Sequence, residues 1–230
     1  MTYQKQYVVL VVLGVQESNM KLTPIIVTCG ESETFRLLTS ISDQMFNNIN
    51  IFDKPVILLD ESKVTKESDF FNQIKSSINV DDFIFVFTKF EGDFSAFRNV
   101  VFEHIKDGNI VLWLDADEQV SDNFFIVAYH VFKENPTLDL IYCTRANYVN
   151  GITPSHVQRW GWRLDQFNRI NYPDFQGRIH VKRNNIVWSG KVHEKLTNIK
   201  NYATLGDELE ILHVKEISKQ EQQNDLYNKL

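Results

Sequence analysis

Ile110-Val111-Leu112-Trp113-Leu114-Asp115-Ala116-Asp117-Glu118 is the stretch that decides how this chain folds. Five apolar residues in succession read as a strand buried on both faces. The strand then stops on three carboxylates within four positions. Negative charge is thereby brought to the C-terminal edge of a sheet, which in open α/β sheets is where ligands bind. Asp115 and Asp117 are two residues apart and would face the same way on a continuing strand. Adjacent carboxylates repel unless a cation lies between them, and hard oxygen ligands suit Mg²⁺ or Mn²⁺. The competing reading is a strand that ends in a solvated acidic turn.

Outward from this strand the same unit recurs. Residues 24–28 are an apolar run that stops at Cys29-Gly30-Glu31-Ser32. Residues 33–48 then have helical spacing, with Phe35, Leu38, Ile41, Met45 and Ile49 on one face and Ser32 as N-cap. Val56-Ile57-Leu58-Leu59 ends at Asp60-Glu61-Ser62 and precedes a helix over 67–78. Residues 83–87 form the next strand, and a helix over 95–106 is closed by Asp107-Gly108. After the 110–114 strand come a helix over 121–134, stopped at Asn135-Pro136, and a strand over 138–144. Alternating strand and helix predicts a mostly parallel sheet with helices on both faces. Residues 7–13 add a strand-like run, and 214–230 read as a terminal helix.

The 230 residues make one large α/β domain, with a first part over 1–144, a second over 145–213 and the helix at the end. The apolar run at 7–13 is too short to span a bilayer and lacks the marks of a secretory signal. A soluble, cytoplasmic protein is therefore expected. Cys29 and Cys143 match no metal or redox spacing and read as buried free thiols in a reducing compartment. The net charge of −6 excludes a uniformly basic nucleic-acid binder. The distribution is uneven, because six of the eight arginines lie between Arg145 and Lys195. Aromatics such as Trp160, Trp162, Phe167 and Trp188 are interleaved with them. Either this is a β-rich region with solvated arginines, or it is a surface for a bulky or anionic partner.

In order and spacing, a set of motifs resembles the family 2 glycosyltransferases of the GT-A fold. They are Ile25-Ile26-Val27-Thr28, the Asp60 strand end, Phe94-Ser95-Ala96-Phe97-Arg98-Asn99 and Trp113-Leu114-Asp115-Ala116-Asp117-Glu118. Further on come Tyr172-Pro173-Asp174-Phe175-Gln176-Gly177-Arg178, Trp188-Ser189-Gly190-Lys191-Val192-His193-Glu194, His213 and Gln222-Gln223-Asn224. The likeness runs from about residue 24 to 227. It implies a GT-A nucleotide-diphospho-sugar transferase fold and metal-dependent transfer of a sugar from a UDP-type donor to a hydroxyl, with inversion.

The resemblance assigns roles residue by residue. Asp117, more directly than Asp115, would hold Mn²⁺ or Mg²⁺, with His213 completing the metal site. Thr28, Glu31, Asp60, Arg98, Asp115, Ala116 and Gly190 would line the nucleotide-sugar site, Asp60 by accepting from a ring N–H of the base. Arg98 reads alternatively as a helix-surface ion pair with Asp93 or Glu103. Glu194 would be the base that takes the acceptor proton, with Asp174 as the other candidate. Trp160, Trp162, Arg163, Arg178 and His193 would face the acceptor. That acceptor is a phosphorylated glycan, or the hydroxymethylated DNA that small bacteriophage-encoded members decorate in the host cytoplasm. Arg159, Arg163, Arg169, Lys182 and Arg183 would then contact its phosphates. Glu118 would only brace the turn. The first turn departs from the family, with Val27-Thr28-Cys29-Gly30-Glu31 where many members carry a tyrosine that stacks on the base. Two other classes remain open, a GT-A-like binding module without turnover and a nucleotidyltransferase.

Overall fold

The structure is a computed structural model that describes residues 20–227, so the run at 7–13 lies outside the described residues. In chain order the elements are β1 (Leu22–Thr28), α1 (Glu33–Asn47), β2 (Val56–Asp60), α2 (Asp69–Ser77), β3 (Ile84–Thr88) and α3 (Phe94–Asn99). Then come β4 (Ile110–Asp115), β5 (Glu118–Val120), α4 (Phe124–Glu134), β6 (Leu140–Asn150) and α5 (Pro154–Trp160). The last are β7 (Ile170–Val181), β8 (Trp188–Ser189), β9 (Lys195–Leu196), β10 (Tyr202–Glu216) and α6 (Ile217–Tyr227).

Among the described residues one sheet carries eight strands in the order β3-β2-β1-β4-β7-β6-β10-β5. β1, β2, β3 and β4 are parallel, and so are β6 and β10, whereas β7 and β5 pair antiparallel to their neighbours. The expected mostly parallel sheet is therefore present. Chain order reverses direction between β1 and β4, which creates a crevice at their C-terminal ends, the usual ligand position in such sheets.

Strand periodicity sorts the core into two layers. Ile110, Leu112 and Leu114 point to one face, where they pack with Leu38 and Ile41 of α1 and Phe124 and Phe125 of α4. Val111 and Trp113 point to the other, with Phe97 and Val101. Side chains alternate along a strand, so Asp115 falls on the same face as Trp113, the face covered by α3. That register is why the β4 carboxylate meets α3.

Several local expectations change. The helix over 95–106 is α3 followed by a 3₁₀ segment, Val100–His104. The strand expected at 138–144 runs on to Asn150. Ile49 is exposed, because α1 ends at Asn47 and the helical face stops there. Ser32 has helical backbone angles and makes no side-chain cap bond; the Glu31 carbonyl takes the Thr34 N–H instead. Cys143 is buried as expected, but Cys29 is exposed, since it lies past the end of β1 in the turn.

Candidate active site

The site is assembled around Arg98. Asp93 caps α3 by accepting from the Ala96 N–H at 2.9 Å and the Ser95 hydroxyl at 2.8 Å. One turn on, the Arg98 side chain enters the molecule and is 8 % exposed. Its Nη2 donates to Asp115 Oδ1 at 3.0 Å, and its Nε donates to Glu194 Oε1 at 2.8 Å. The guanidinium lies 5.3 Å from the Trp113 ring and 5.4 Å from that of Trp188. Asp93 and Glu103 are therefore not its partners; carboxylates 17 and 96 residues away are.

Glu194 reaches this position because its loop is tied to α3. Asn99 donates from Nδ2 to the Trp188 carbonyl at 2.9 Å and accepts the Trp188 N–H at 2.9 Å. The Phe94 N–H bonds the Lys191 carbonyl at 2.9 Å. Gly190 turns the loop at φ +106°, a conformation that L side chains rarely adopt.

A second arginine closes the other side of Asp115. Arg178 of β7 places Nη2 2.9 Å from Asp115 Oδ2 and 2.7 Å from Glu118 Oε1. Glu118 also takes the Asp115 N–H at 2.9 Å, so it braces the turn as expected. It does more than that, because it is buried and balances Arg178 and, at 3.4 Å, Arg145. Burial opposes the charge on Arg178, but Asp115 and Glu118 more than offset it and hold the guanidinium firmly protonated. Burial alone would raise the Asp115 carboxyl; Arg178 and Arg98 bring it well below the usual range. Asp174 belongs to the same network. Its Oδ2 accepts from Arg145 Nε at 3.0 Å and Asn147 Nδ2 at 2.8 Å, and its Oδ1 from Gln176 at 2.6 Å.

Asp117 does not share a side with Asp115. β4 ends at Asp115, the chain turns, and β5 begins at Glu118, so the strand does not continue through Asp117. Its carboxylate faces β10 and α6 instead. His213 Nε2 lies 3.5 Å from Oδ1, Lys215 Nζ 3.7 Å and Lys219 Nζ 3.4 Å from Oδ2. Against burial, His213 and Lys215 hold the Asp117 carboxyl down to about 2. His213 in turn contacts Asn147 Oδ1 through Nδ1 at 2.7 Å. As a donor set for Mn²⁺ or Mg²⁺ this is sparse. Each Asp115 oxygen is taken by an arginine, and among the described residues no three His, Cys, Asp or Glu side chains converge on one point.

These groups open onto a cleft of about 770 Å³, whose walls include Arg98, Asp115, Asp174, Arg178, Glu194 and His213. Trp162 and His193 also line it. Trp160 stands behind Trp162, 4.6 Å away and stacked on His156, and Arg163 is an exposed loop residue. Thr28, Glu31 and Asp60 sit at the ends of β1 and β2, along the edge from the cleft. Thr28 Oγ1 donates to Glu31 Oε2 at 2.8 Å. Asp60 is buried and its Oδ1 takes the N–H of Ser62 and Phe90 and the Ser62 hydroxyl. The Ala116 N–H bonds the Val27 carbonyl at 3.0 Å, extending the β1–β4 ladder one residue past Asp115.

The arginine-rich segment is not one basic surface. Arg145 and Arg178 are inside the site network, Arg169 is paired with Asp165 at 2.7 Å, and Arg183 is paired with Asp139. Lys182 and Arg183 follow the end of β7 that pairs with the start of β4, so they lie at the opposite end of the sheet from Asp115. Arg145, Asn147, Lys215 and Lys219 are the site residues that sequence reading missed. One signal was available for Lys215: it stands two residues after His213 on a strand, hence on the same side.

No family model and no curated protein matches this sequence. Solved structures do. The chain is similar to S. aureus TarS 1–349 in complex with UDP-GlcNAc, with a TM-score of 0.57, 17% identity, and 85% of this chain and 59% of that one covered. The UDP complex of TarS 1–349 gives 0.56 and 16%, with 85% and 60% covered. The architecture is that of a GT-A glycosyltransferase, a mixed α/β domain with a mainly parallel central sheet flanked by helices. The chain spans about three-fifths of the length of TarS 1–349. Among the described residues no helix is long and apolar enough to cross a membrane.

Proposed function

We propose that this protein transfers a sugar from a nucleotide-diphosphate sugar to a hydroxyl acceptor, with inversion. The observation that carries the reading is the Arg98 bridge, which ties Asp115 at the β1–β4 crevice to Glu194 on the cleft wall. A donor diphosphate at the crevice and an acceptor hydroxyl in the cleft would meet across this guanidinium. The acceptor oxygen forms a bond to the anomeric carbon, its proton passes to Glu194, and the bond to the diphosphate breaks with the electron pair leaving on phosphate oxygen. Glu194 is the better base of the two candidates. Arg98 engages its Oε1, whereas both oxygens of Asp174 already accept from Arg145, Asn147 and Gln176. Despite burial, those donors lower the Asp174 carboxyl. Asp174 positions Arg145 and Asn147 instead.

A uridine donor is the preferred form, since the TarS structures contain UDP-GlcNAc and UDP. Asp60 would read the base through Oδ2, as Oδ1 is committed to Ser62 and Phe90. The acceptor is a sugar hydroxyl rather than a polyanion, because four of the segment's six arginines, Arg145, Arg169, Arg178 and Arg183, are balanced by carboxylates of the same chain. A panel of nucleotide sugars tests the reading, scored for thermal shift and donor hydrolysis in Mn²⁺, in Mg²⁺ and in EDTA. UDP-sugars should stabilise the protein and be hydrolysed slowly. A panel with neither signal for any donor sinks the proposal.

A further inference from the structure

Asp117 is surrounded by ammonium groups where a GT-A site would need ligands. Lys219 Nζ is 3.4 Å from its Oδ2 and 3.6 Å from Glu33. Lys215 Nζ is 3.7 Å from the same Oδ2 and donates to Gln223 Oε1 at 2.7 Å. Lys215 lines the cleft beside His213 and Asp115. Its side chain is 10 % exposed, so its charge acts in a poorly solvated place. The one histidine near Asp117 also contacts Asn147, and the Asp115 oxygens are held at 3.0 and 2.9 Å by arginines. A divalent cation brought to Asp117 would enter between two positive charges, and the other carboxylate there, Glu33, is already paired with Lys219 at 3.6 Å. A diphosphate brought to the same place would meet two ammonium groups, each with three donors and loose ion pairs at 3.4–3.7 Å. Lysine in this role is a compact point charge suited to phosphate.

We infer that Lys215 and Lys219 form the diphosphate subsite of this protein and neutralise the leaving group without a divalent cation. The inference rests on the reading that the cleft takes a nucleotide-diphosphate sugar. Asp117 then positions the two ammonium groups and is not a metal ligand. His213, two residues before Lys215 on β10, holds Asp117 from its other oxygen.

Calorimetry with two probes, inorganic pyrophosphate and UDP, tests this in EDTA and in Mn²⁺. Both probes should bind in EDTA with affinities within about twofold of those in Mn²⁺. K215Q and K219Q should each weaken pyrophosphate at least about tenfold in EDTA, the scale of one charge-assisted contact. Circular dichroism of each variant checks that it is folded. If pyrophosphate and UDP bind only with Mn²⁺, the lysine subsite is wrong while the transferase reading stands. If neither lysine variant loses affinity, the subsite is wrong as well. If pyrophosphate binds in EDTA and UDP does not, the subsite stands and the uridine assignment fails. If neither probe binds under any condition, both readings fall together.

Discussion

The two halves of the sheet are built by different means. In the β3-β2-β1-β4 half, β2 is buried at every position, as are the five apolar residues of β4. Hydrophobic burial holds this half, at roughly 1.5–3 kcal/mol per large side chain. In the β7-β6-β10-β5 half, the first part of β7 alternates between exposed and half-buried residues, and Phe167, Phe175 and Tyr202 are exposed. Arginine–carboxylate pairs tie its own strands together through Glu118 and Asp174, and Arg178 stitches it to the first half at Asp115. The apolar half supplies fixed strand ends; the charged half supplies the groups that act there. The seam between them is the site, and Arg98 and Arg178 both cross it.

This contrast can be broken by removing one member of the seam at a time. The largest effect is expected for Glu194→Gln, which keeps the Arg98 contact but removes the proton acceptor. Turnover should fall by roughly 10²–10⁴-fold, with donor affinity unchanged by calorimetry. Equal loss of affinity and turnover would make Glu194 a structural residue and reopen the case for a binding module.

Arg98→Met comes next. Methionine fills the space between Trp113 and Trp188 but leaves Asp115 with one arginine and Glu194 with none. Stripping one partner from a buried pair should cost about 3 kcal/mol in urea unfolding. A variant as stable as the parent would show that the seam contributes nothing to the fold.

Where β7 packs against β4 it carries a buried titratable group of its own. His180 is fully buried, accepts from Trp113 Nε1 at 3.1 Å, and contacts the Val181 carbonyl through Nδ1 at 3.1 Å. Burial pushes its pKa from 6.5 down to about 4. The unfolded chain therefore takes up this proton before the folded one does. Stability is complete above about pH 6.5 and is lost as pH falls through about 4, by about 3 kcal/mol from this residue. Unfolding free energies measured between pH 7 and 4 should show that slope, and His180→Gln should flatten it. An unchanged slope in the variant would assign the acid sensitivity to the ion-paired carboxylates of the site.

The smallest effect is expected for Asn99→Ala. It removes both bonds to the Trp188 backbone and so loosens the Glu194 loop without touching the ion pairs. A loss of about 1–2 kcal/mol is expected, together with a drop in turnover at unchanged donor affinity. Turnover at the parent rate would show that Arg98 alone positions Glu194.

Much of the first half is legible in the residues themselves. β1, β2, β3 and β4 fall within a residue or two of their apolar runs, because a strand buried on both faces must be apolar throughout. Asp60 and Asp115 are readable as strand ends for the same reason. The turns and the charged half are harder. At the end of β1, the Ser32 cap and the burial of Cys29 do not follow from composition, because both depend on how the chain leaves the strand. The arginine-rich segment has the look of an external surface, yet most of its charge is matched within the molecule. Composition counts charges but does not record which carboxylate folds against them.

By itself, then, the sequence determined the alternation of strand and helix and the acidic end of β4. These follow from periods of two and 3.6 residues and from local turn chemistry, which are properties of neighbouring residues. Only the tertiary structure decided that Arg98 joins Asp115 to Glu194 across 96 residues of chain, and that Asp117 turns away toward Lys215 and Lys219. Ion-pair partners are selected by which side chains packing brings within about 4 Å, and no local rule of sequence specifies that.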